Sequence, residues 1–528
     1  MSLSSAWTQQ RFFPVQHFYK DRIYQWQLNT GEDTIDLHSP STFQYTGASF
    51  FPETEAQLFQ LKELNTDTKQ RKWVGRKIFQ EHFFEIKGKE YYITIDPIID
   101  FSMGRDLRDS EPINYFQNTR GIEIKGDILD NISFFTNLRE NQQRFLDYQT
   151  DYIAAHGEYY LNPSVGYVQQ NGSIPGAART KPFKEGAFDF AYVTGAITYR
   201  PIKQIGLSLG NNMHFVGSGY RSLLLSDHAA NAPYARISYT INPKLSGEVI
   251  YAQYLNLLRS ELQTETERQY EKKGFSVHYF TYKPIKKLAI SLFESTVWDR
   301  GDTSTIRRVH GLYYNPVPVV NTAVLGTSSN RTNSMLGLNV LATLPLHFHV
   351  YGQFAMDNFS KIDPAYQVGF RWSQPFSIRE LYLQAEYNSV PKGFYGHPNS
   401  RLTHTHNNLP LAHPFGSGFS EIVGRISYEW KRIAITSKTN LYHTSVDPIT
   451  QQFGDQLYVV PVSPSGVSEN GKILIQQLDL LYRFNRMNNL QIFATVLYRT
   501  ARFPSQTTDT FYIGFGVRTQ LSNHYFDF

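Results

Sequence analysis

From Tyr91 to Phe528 the chain consists of short segments in which apolar and polar residues alternate, the period of a strand facing two different environments. In Arg379 to Tyr387, Leu381, Leu383, Ala385 and Tyr387 share one face, and Glu380, Tyr382, Gln384 and Glu386 share the other. Thr119 to Ile128 sets Ile122, Ile124 and Ile128 against Glu123, Lys125 and Asp127. The same period recurs in Tyr366 to Trp372, Glu421 to Trp430 and Phe511 to Val517. One side suits lipid and the other suits water.

The connections alternate as well. Short turns fall at Asp130-Asn131, Pro201-Ile202, Asn242-Pro243, Pro284-Ile285, Pro345-Leu346, Pro375-Phe376, Trp430-Lys431 and Asn485-Asn488. Proline fixes φ and asparagine tolerates left-handed backbone, so both suit turns. Between them lie connections of variable length near residues 105–117, 145–185, 217–232, 257–271, 300–333, 358–363, 389–417, 443–472 and 501–508. Eight turns and nine loops predict about eighteen antiparallel strands in a transmembrane β-barrel spanning 91–528, with short periplasmic turns and longer extracellular loops. A soluble sandwich would not keep this regular asymmetry along the whole chain.

Residues 10–90 read differently. Leu58, Leu61 and Leu64, followed by Trp73, Lys77 and Gln80, have helical spacing, and Pro52 with Glu53 and Glu55 is a fitting helix start. The expectation is a short periplasmic segment whose helices cap or plug the barrel, because barrels of this size otherwise enclose an aqueous lumen. Residues 1–9 resemble the tail of an export signal.

Composition narrows the class. The mean hydropathy is −0.40, and no run of about 18 apolar residues exists, which excludes helical membrane spans but not a barrel. Aromatics make up 15 % of the 528 residues, an excess that suits interfacial girdles. The absence of cysteine excludes disulfides, thiol nucleophiles and thiolate metal sites. A formal net charge of +5 is small for this length; it recommends no nucleic-acid partner and fits anionic glycans or lipopolysaccharide.

Three segments carry a resemblance. The first runs from Arg76 to Phe83 and on through Asp96-Pro97-Ile98-Ile99-Asp100-Phe101-Ser102-Met103-Gly104. The second is Gly210 to Asp227, closing with Ala232-Pro233-Tyr234. The third is Leu409 to Glu421. Together with Tyr525-Phe526-Asp527-Phe528 they resemble the Wzi family of capsule-assembly outer-membrane barrels, most of all its Bacteroidota branch, which includes gliding-motility proteins of the RemB type. The resemblance implies an eighteen-stranded barrel in the bacterial outer membrane, with periplasmic helices, a lumen closed by loops, and loops at the cell surface. Its implied role is non-enzymatic work on surface polysaccharide, or on surface protein complexes in adhesion and gliding.

Within that frame, Gly217, Gly219, Tyr220, Arg221 and Asp227 are candidates for a loop that folds into the lumen, with Arg221 pairing to lumen carboxylates. His404, His406, Asn408 and His413 are candidate surface contacts to glycan or protein, in a group of loops (145–185, 300–333, 389–417 and 443–472) rich in Tyr, Asn and His. Histidines at i and i+2 could also ligate a metal, but no acidic partner stands beside them in sequence, and neither metal nor cofactor is expected. Ser226-Asp227-His228 has hydrolase residue types, yet a triad is defined by geometry and adjacent loop residues do not make one. Tyr525, Phe526 and Phe528 are expected to form an aromatic signal for the barrel-assembly machinery. The competing reading is a passive diffusion porin with an open, charge-lined lumen.

Overall fold

The computed structural model describes residues 16–30, 71–129, 131–162, 164–177, 179–184, 186–202, 204–259, 270–301, 310–359, 362–446, 469–519 and 523–528. Eighteen antiparallel strands close on themselves. In chain order they are β1 (Tyr91–Asp106), β2 (Tyr115–Ile128), β3 (Ile132–Arg144), β4 (Ala187–Ile202), β5 (Ile205–Asn212), β6 (Ala232–Asn242), β7 (Leu245–Arg259), β8 (Tyr270–Ile285) and β9 (Leu288–Gly301). The second half comprises β10 (Thr332–Leu344), β11 (Phe348–Met356), β12 (Ala365–Ser373), β13 (Leu381–Val390), β14 (Phe419–Trp430), β15 (Ile433–Val446), β16 (Glu469–Asn485), β17 (Leu490–Arg502) and β18 (Thr507–Thr519). The seam is β1 against β18, in register from Asp100↔Arg518 to Asp106↔Tyr512. Closure leaves no unpaired edge, which is why strands can cross a bilayer at all.

Asp130 lies outside the described residues; the other residues of the expected turns lie at one end of the barrel. Several put a non-glycine residue in the left-handed region, among them Leu129, Leu346, Gln374, Lys431 and Asn489, the backbone that tight antiparallel hairpins demand. The described ends of the longer connections lie at the other end.

Wall residues follow the two-residue period. On β13, Tyr382, Gln384, Glu386 and Asn388 are buried inside while Tyr387 faces outward. On β18, Ile513 and Phe515 are exposed on the outer face, and Gly514 is buried. The polar face is buried because the lumen is filled.

The aromatic excess divides between two places. Phe376, Trp430 and Tyr366 are exposed on the outside, as girdle residues would be. Many others, including Tyr148, Tyr152, Phe394, Tyr395, Phe415 and Phe528, pack inside the barrel, where loops that fold inward need an apolar core of their own.

Before the barrel, helix α1 (His17–Thr30) lies against the lumen wall, and α2 (Trp73–Phe79) precedes a short strand, Phe84–Lys87, that pairs with β1. Leu58, Leu61 and Leu64 lie outside the described residues. Helix α1 escaped the sequence reading because its apolar and charged residues are mixed around the axis, and a helix inside a polar lumen needs no apolar stripe.

Candidate functional site

Among the described residues, five pieces of chain enter the lumen: α1, helix α3 (Asp147–Ala155) from the β3–β4 connection, the β5–β6 loop, the β13–β14 loop, and residues 523–528. Their meeting point is Arg221. Its Nε donates to Glu421 Oε1 at 3.2 Å, and its Nη2 donates to the same oxygen at 3.0 Å and to the Tyr442 hydroxyl at 2.7 Å. Asp527 Oδ1 lies 3.0 Å from Nη2 as an ion-pair partner. Burial works against the charge of Arg221, but Asp527 and Glu421 outweigh it and hold its pKa well above the ordinary value. The pair is almost wholly removed from water, so its geometry rather than its Coulomb energy fixes the loop.

The backbone of the same loop is gripped as well. The N–H groups of Tyr220 and Arg221 donate to the two oxygens of Glu386 at 2.7 and 3.0 Å, and Leu223 N–H donates to Gln353 at 2.8 Å. Gly219 sits so close to the wall that a Cβ would collide with Glu386 Oε2. Gly217 has φ +140, and its Cβ would meet the Gln353 amide. These two glycines are therefore needed for close approach and for backbone conformation.

The loop also holds the other inserted segments. The Tyr220 hydroxyl donates to Asp527 Oδ2 at 2.7 Å, and Lys438 pairs with that oxygen at 2.8 Å. Asp227 accepts from the Tyr525 hydroxyl at 2.7 Å and from Asn523 Nδ2 at 2.9 Å. Burial raises the Asp227 pKa even though both donors favour its ionised form. From α1, Lys20 Nζ donates to Gly219 O at 2.7 Å, His17 stacks on Tyr220 at 4.3 Å, and Asp21 pairs with Arg425 at 2.7 Å.

Tyr525, Phe526 and Phe528 are therefore inside the barrel and not on its last strand, which ends at Thr519. Phe528 stacks on Tyr152 at a centroid distance of 4.0 Å, and the Tyr148 hydroxyl donates to Phe526 O at 2.9 Å. Aromatic residues in this stretch complete an internal core.

His404, His406, Asn408 and His413, expected at the surface, are buried, none being more than 3 % exposed. Their loop also carries Leu402, Leu409, Leu411 and Phe415, which are driven out of water and take the histidines with them. Each polar group has a structural partner. His404 Nε2 meets Ser295 Oγ at 3.2 Å, His406 Nδ1 accepts from Leu255 N–H at 3.1 Å, and Asn408 Oδ1 accepts from Leu257 N–H at 3.0 Å. His413 Nε2 lies 2.8 Å from Glu421 Oε2 and stacks on Phe419. Burial pushes the His404 imidazole down to about 3 and the His406 imidazole down to about 4. Among the described residues no cluster of three His, Cys, Asp or Glu side chains is arranged to hold a metal.

Sequence reasoning missed Lys273, whose Nζ donates to the carbonyl and hydroxyl oxygens of both Thr403 and Thr405 at 2.8–3.1 Å. It missed Glu421 and Asp527 as partners of Arg221 for the same reason: a charged residue, whether on a strand's water face or in an inserted segment, carries no local mark of what it will meet. The space left inside is a polar cavity of about 370 Å³, lined by Asp100, Gln117, Arg425, Lys438, Asp479 and Arg518 among others.

A barrel with this organisation matches the family model for capsule assembly protein Wzi over residues 153–440. The chain belongs to that family. Among solved structures, that of Wzi from Escherichia coli, described as an outer membrane protein involved in group 1 capsule assembly and a carbohydrate-binding β-barrel, aligns over 98 % of this chain and 100 % of its own, at 11 % identity and TM-score 0.53. OprD of Pseudomonas aeruginosa aligns over 81 % of this chain and 94 % of its own, at 11 % identity and TM-score 0.41. OccAB2 of Acinetobacter baumannii aligns over 81 % and 97 %, at 10 % identity and TM-score 0.41. No curated protein matches the sequence. The Wzi family and the closed eighteen-stranded barrel make this an outer-membrane protein.

Proposed function

We propose that this barrel binds surface polysaccharide and serves its assembly or attachment at the outer membrane, as a closed scaffold without catalytic activity. The observation that carries the reading is the lumen filled around Arg221, with Glu421, Glu386 and Asp527 holding the β5–β6 loop across the bore. A diffusion porin needs that bore open. The family's capsule role, and the carbohydrate binding described for the Escherichia coli barrel, supply the ligand class. Against an enzyme, Ser226 Oγ donates to backbone carbonyls of the β13–β14 loop and Asp227 is engaged by Tyr525 and Asn523, so these side chains serve packing.

Residues 10–90 act in this reading as a periplasmic segment, with α1 as part of the plug. The Gly217–Asp227 sequence favours the Bacteroidota, RemB-like branch and with it an accessory role in adhesion or gliding. Insertion by the barrel-assembly machinery and contact with lipopolysaccharide follow from residence in the outer membrane.

Conductance in planar bilayers tests the closed scaffold. The intact protein should be nearly silent, and a variant lacking residues 218–226 should conduct. Large, steady currents from the intact protein would move the reading to a porin.

A further inference from the structure

The described part of the β9–β10 connection, residues 310–331, folds down over the outside of the wall instead of into the bore. The faces of β8 and β9 are fixed by their partners in the lumen. Ser295 Oγ meets His404 of the inserted β13–β14 loop at 3.2 Å, and Lys273 holds Thr403 and Thr405 of the same loop. The two-residue period therefore turns Glu294, Thr296 and Trp298 on β9, and Ser276 and His278 on β8, away from the lumen. Register agrees: His278 stands opposite Glu294, on the same face as the pair Tyr282↔Ile290, whose side chains are exposed outside.

His278, Glu294, Thr296 and Trp298 are nevertheless buried. The loop covers them. The N–H groups of Val319 and Thr322 donate to the two oxygens of Glu294 at 2.8 and 2.7 Å, at the start of a short helix, α4 (Val320–Leu325). Asn315 O lies 2.7 Å from His278 Nε2, Tyr313 stacks on Trp298 at 4.9 Å, and the Tyr251 hydroxyl of β7 donates to Tyr314 O at 2.8 Å.

This covered patch lies at the depth of the lipid band. Glu294 stands six residues above Leu288, the first residue of β9, which is about 20 Å of strand and about 15 Å of height at the usual tilt, inside an apolar band about 25 Å tall. Below it on the same face are Ile290 and Leu292, and opposite it on β10 is Leu336. A carboxylate and an imidazole turned toward acyl chains there would be costly. The loop satisfies both groups, and in doing so takes the place of lipid. Its own composition fits that position: Gly311 to Asn330 contains no charged side chain, and Val317 and Val324 are 52 % and 61 % exposed on the side away from the wall. Pro316 and Pro318 have no N–H to satisfy, and the N–H groups of Val317, Val319, Thr322, Ala323 and Gly326 are bonded within the loop or to Glu294, as backbone in hydrocarbon requires.

We infer that the β9–β10 loop is a lobe seated in the outer leaflet, with Val317, Ala323 and Val324 against acyl chains. Its surface is continuous with the lipid face of the wall, where Leu338 and Val340 of β10 are exposed below it. The inference does not rest on polysaccharide binding. It reassigns the described part of connection 300–333, expected to contact glycan, to the membrane.

The chain has no cysteine, so a nitroxide can be attached at one position at a time: Val317→Cys, Val324→Cys, Phe515→Cys on the bare outer wall, and Glu111→Cys in the β1–β2 loop. All four positions are exposed, so the label displaces no packed side chain. In the full chain refolded into phosphatidylcholine vesicles, collision of the label with oxygen, which concentrates in hydrocarbon, is compared with collision with a water-soluble nickel chelate. Oxygen should dominate at 317 and 324 as it does at 515, and the chelate at 111. Dominance of the chelate at 317 and 324 would put the lobe in water and overturn the inference. Exclusion of both reagents there would overturn it too, because protein would then be the cover; dipolar broadening that disappears on dilution with unlabelled chain would identify that protein as a second copy. Either result leaves polysaccharide binding untouched.

Discussion

Arg221 Nη2 lies 3.0 Å from Glu421 Oε1, joining a loop residue to a wall residue 200 positions further along the chain. Nothing local links the two. The contact exists because the β5–β6 loop crosses the bore and reaches β14, and it helps to hold that loop in place.

Replacing Arg221 by leucine leaves Glu421 buried without its guanidinium and Asp527 with Lys438 as its remaining cation. Breaking one side of such a pair costs about 3–5 kcal/mol. The variant should lower the unfolding midpoint in denaturant and raise single-channel conductance. An unchanged, silent barrel would show that the loop is held by other contacts.

Gly219→Ala places a methyl group against Glu386, and Gly217→Ala adds one beside Gln353 at a φ that side chains rarely adopt. Both should loosen the loop while the wall stays intact. Limited proteolysis of folded protein should cut within 213–231 in the variants and not in the wild type.

The outer face can be tested at Phe515, which is 60 % exposed on the outside of β18. Phe515→Arg should cost about 2–4 kcal/mol if the residue lies near the bilayer midplane. Gln477→Arg, which points into the polar cavity, should cost far less. Equal losses on refolding into lipid vesicles would mean that the strand faces are reversed.

Acid should weaken the plug. His404 and His406 have folded pKa values of about 3 and about 4, below the unfolded value near 6.5. Their contribution is present above that unfolded value and is lost as pH falls toward the folded values, at about 1.4 kcal/mol per pH unit for each group. Unfolding midpoints measured between pH 7 and pH 4.5 should fall, and His404→Gln should flatten the dependence. A midpoint rising with acidity would contradict the burial of these side chains.

The wall was legible in the sequence because strand alternation and turn chemistry are local. Leu381 and Glu380 lie on opposite faces whatever else the chain does, and Lys431 or Asn489 can turn a hairpin within two or three residues. Counting turns and loops was then enough to give eighteen strands. The contents of the bore were another matter. His404, His406 and His413 look like surface residues in a polar loop, and their neighbours Leu409, Leu411 and Phe415, buried in the internal core, carry them inside, where His404 and His406 meet Ser295 and Leu255 109 and 151 positions away. Residues 523–528 read as a terminal aromatic signal, yet Tyr525 meets Asp227 across 298 positions. Helix α1 lacks an apolar stripe because its surroundings are polar. Local periodicity determined which face of each strand meets lipid; which segments fill the lumen was decided by long-range pairings of charge and apolar surface, which exist only once the barrel has closed.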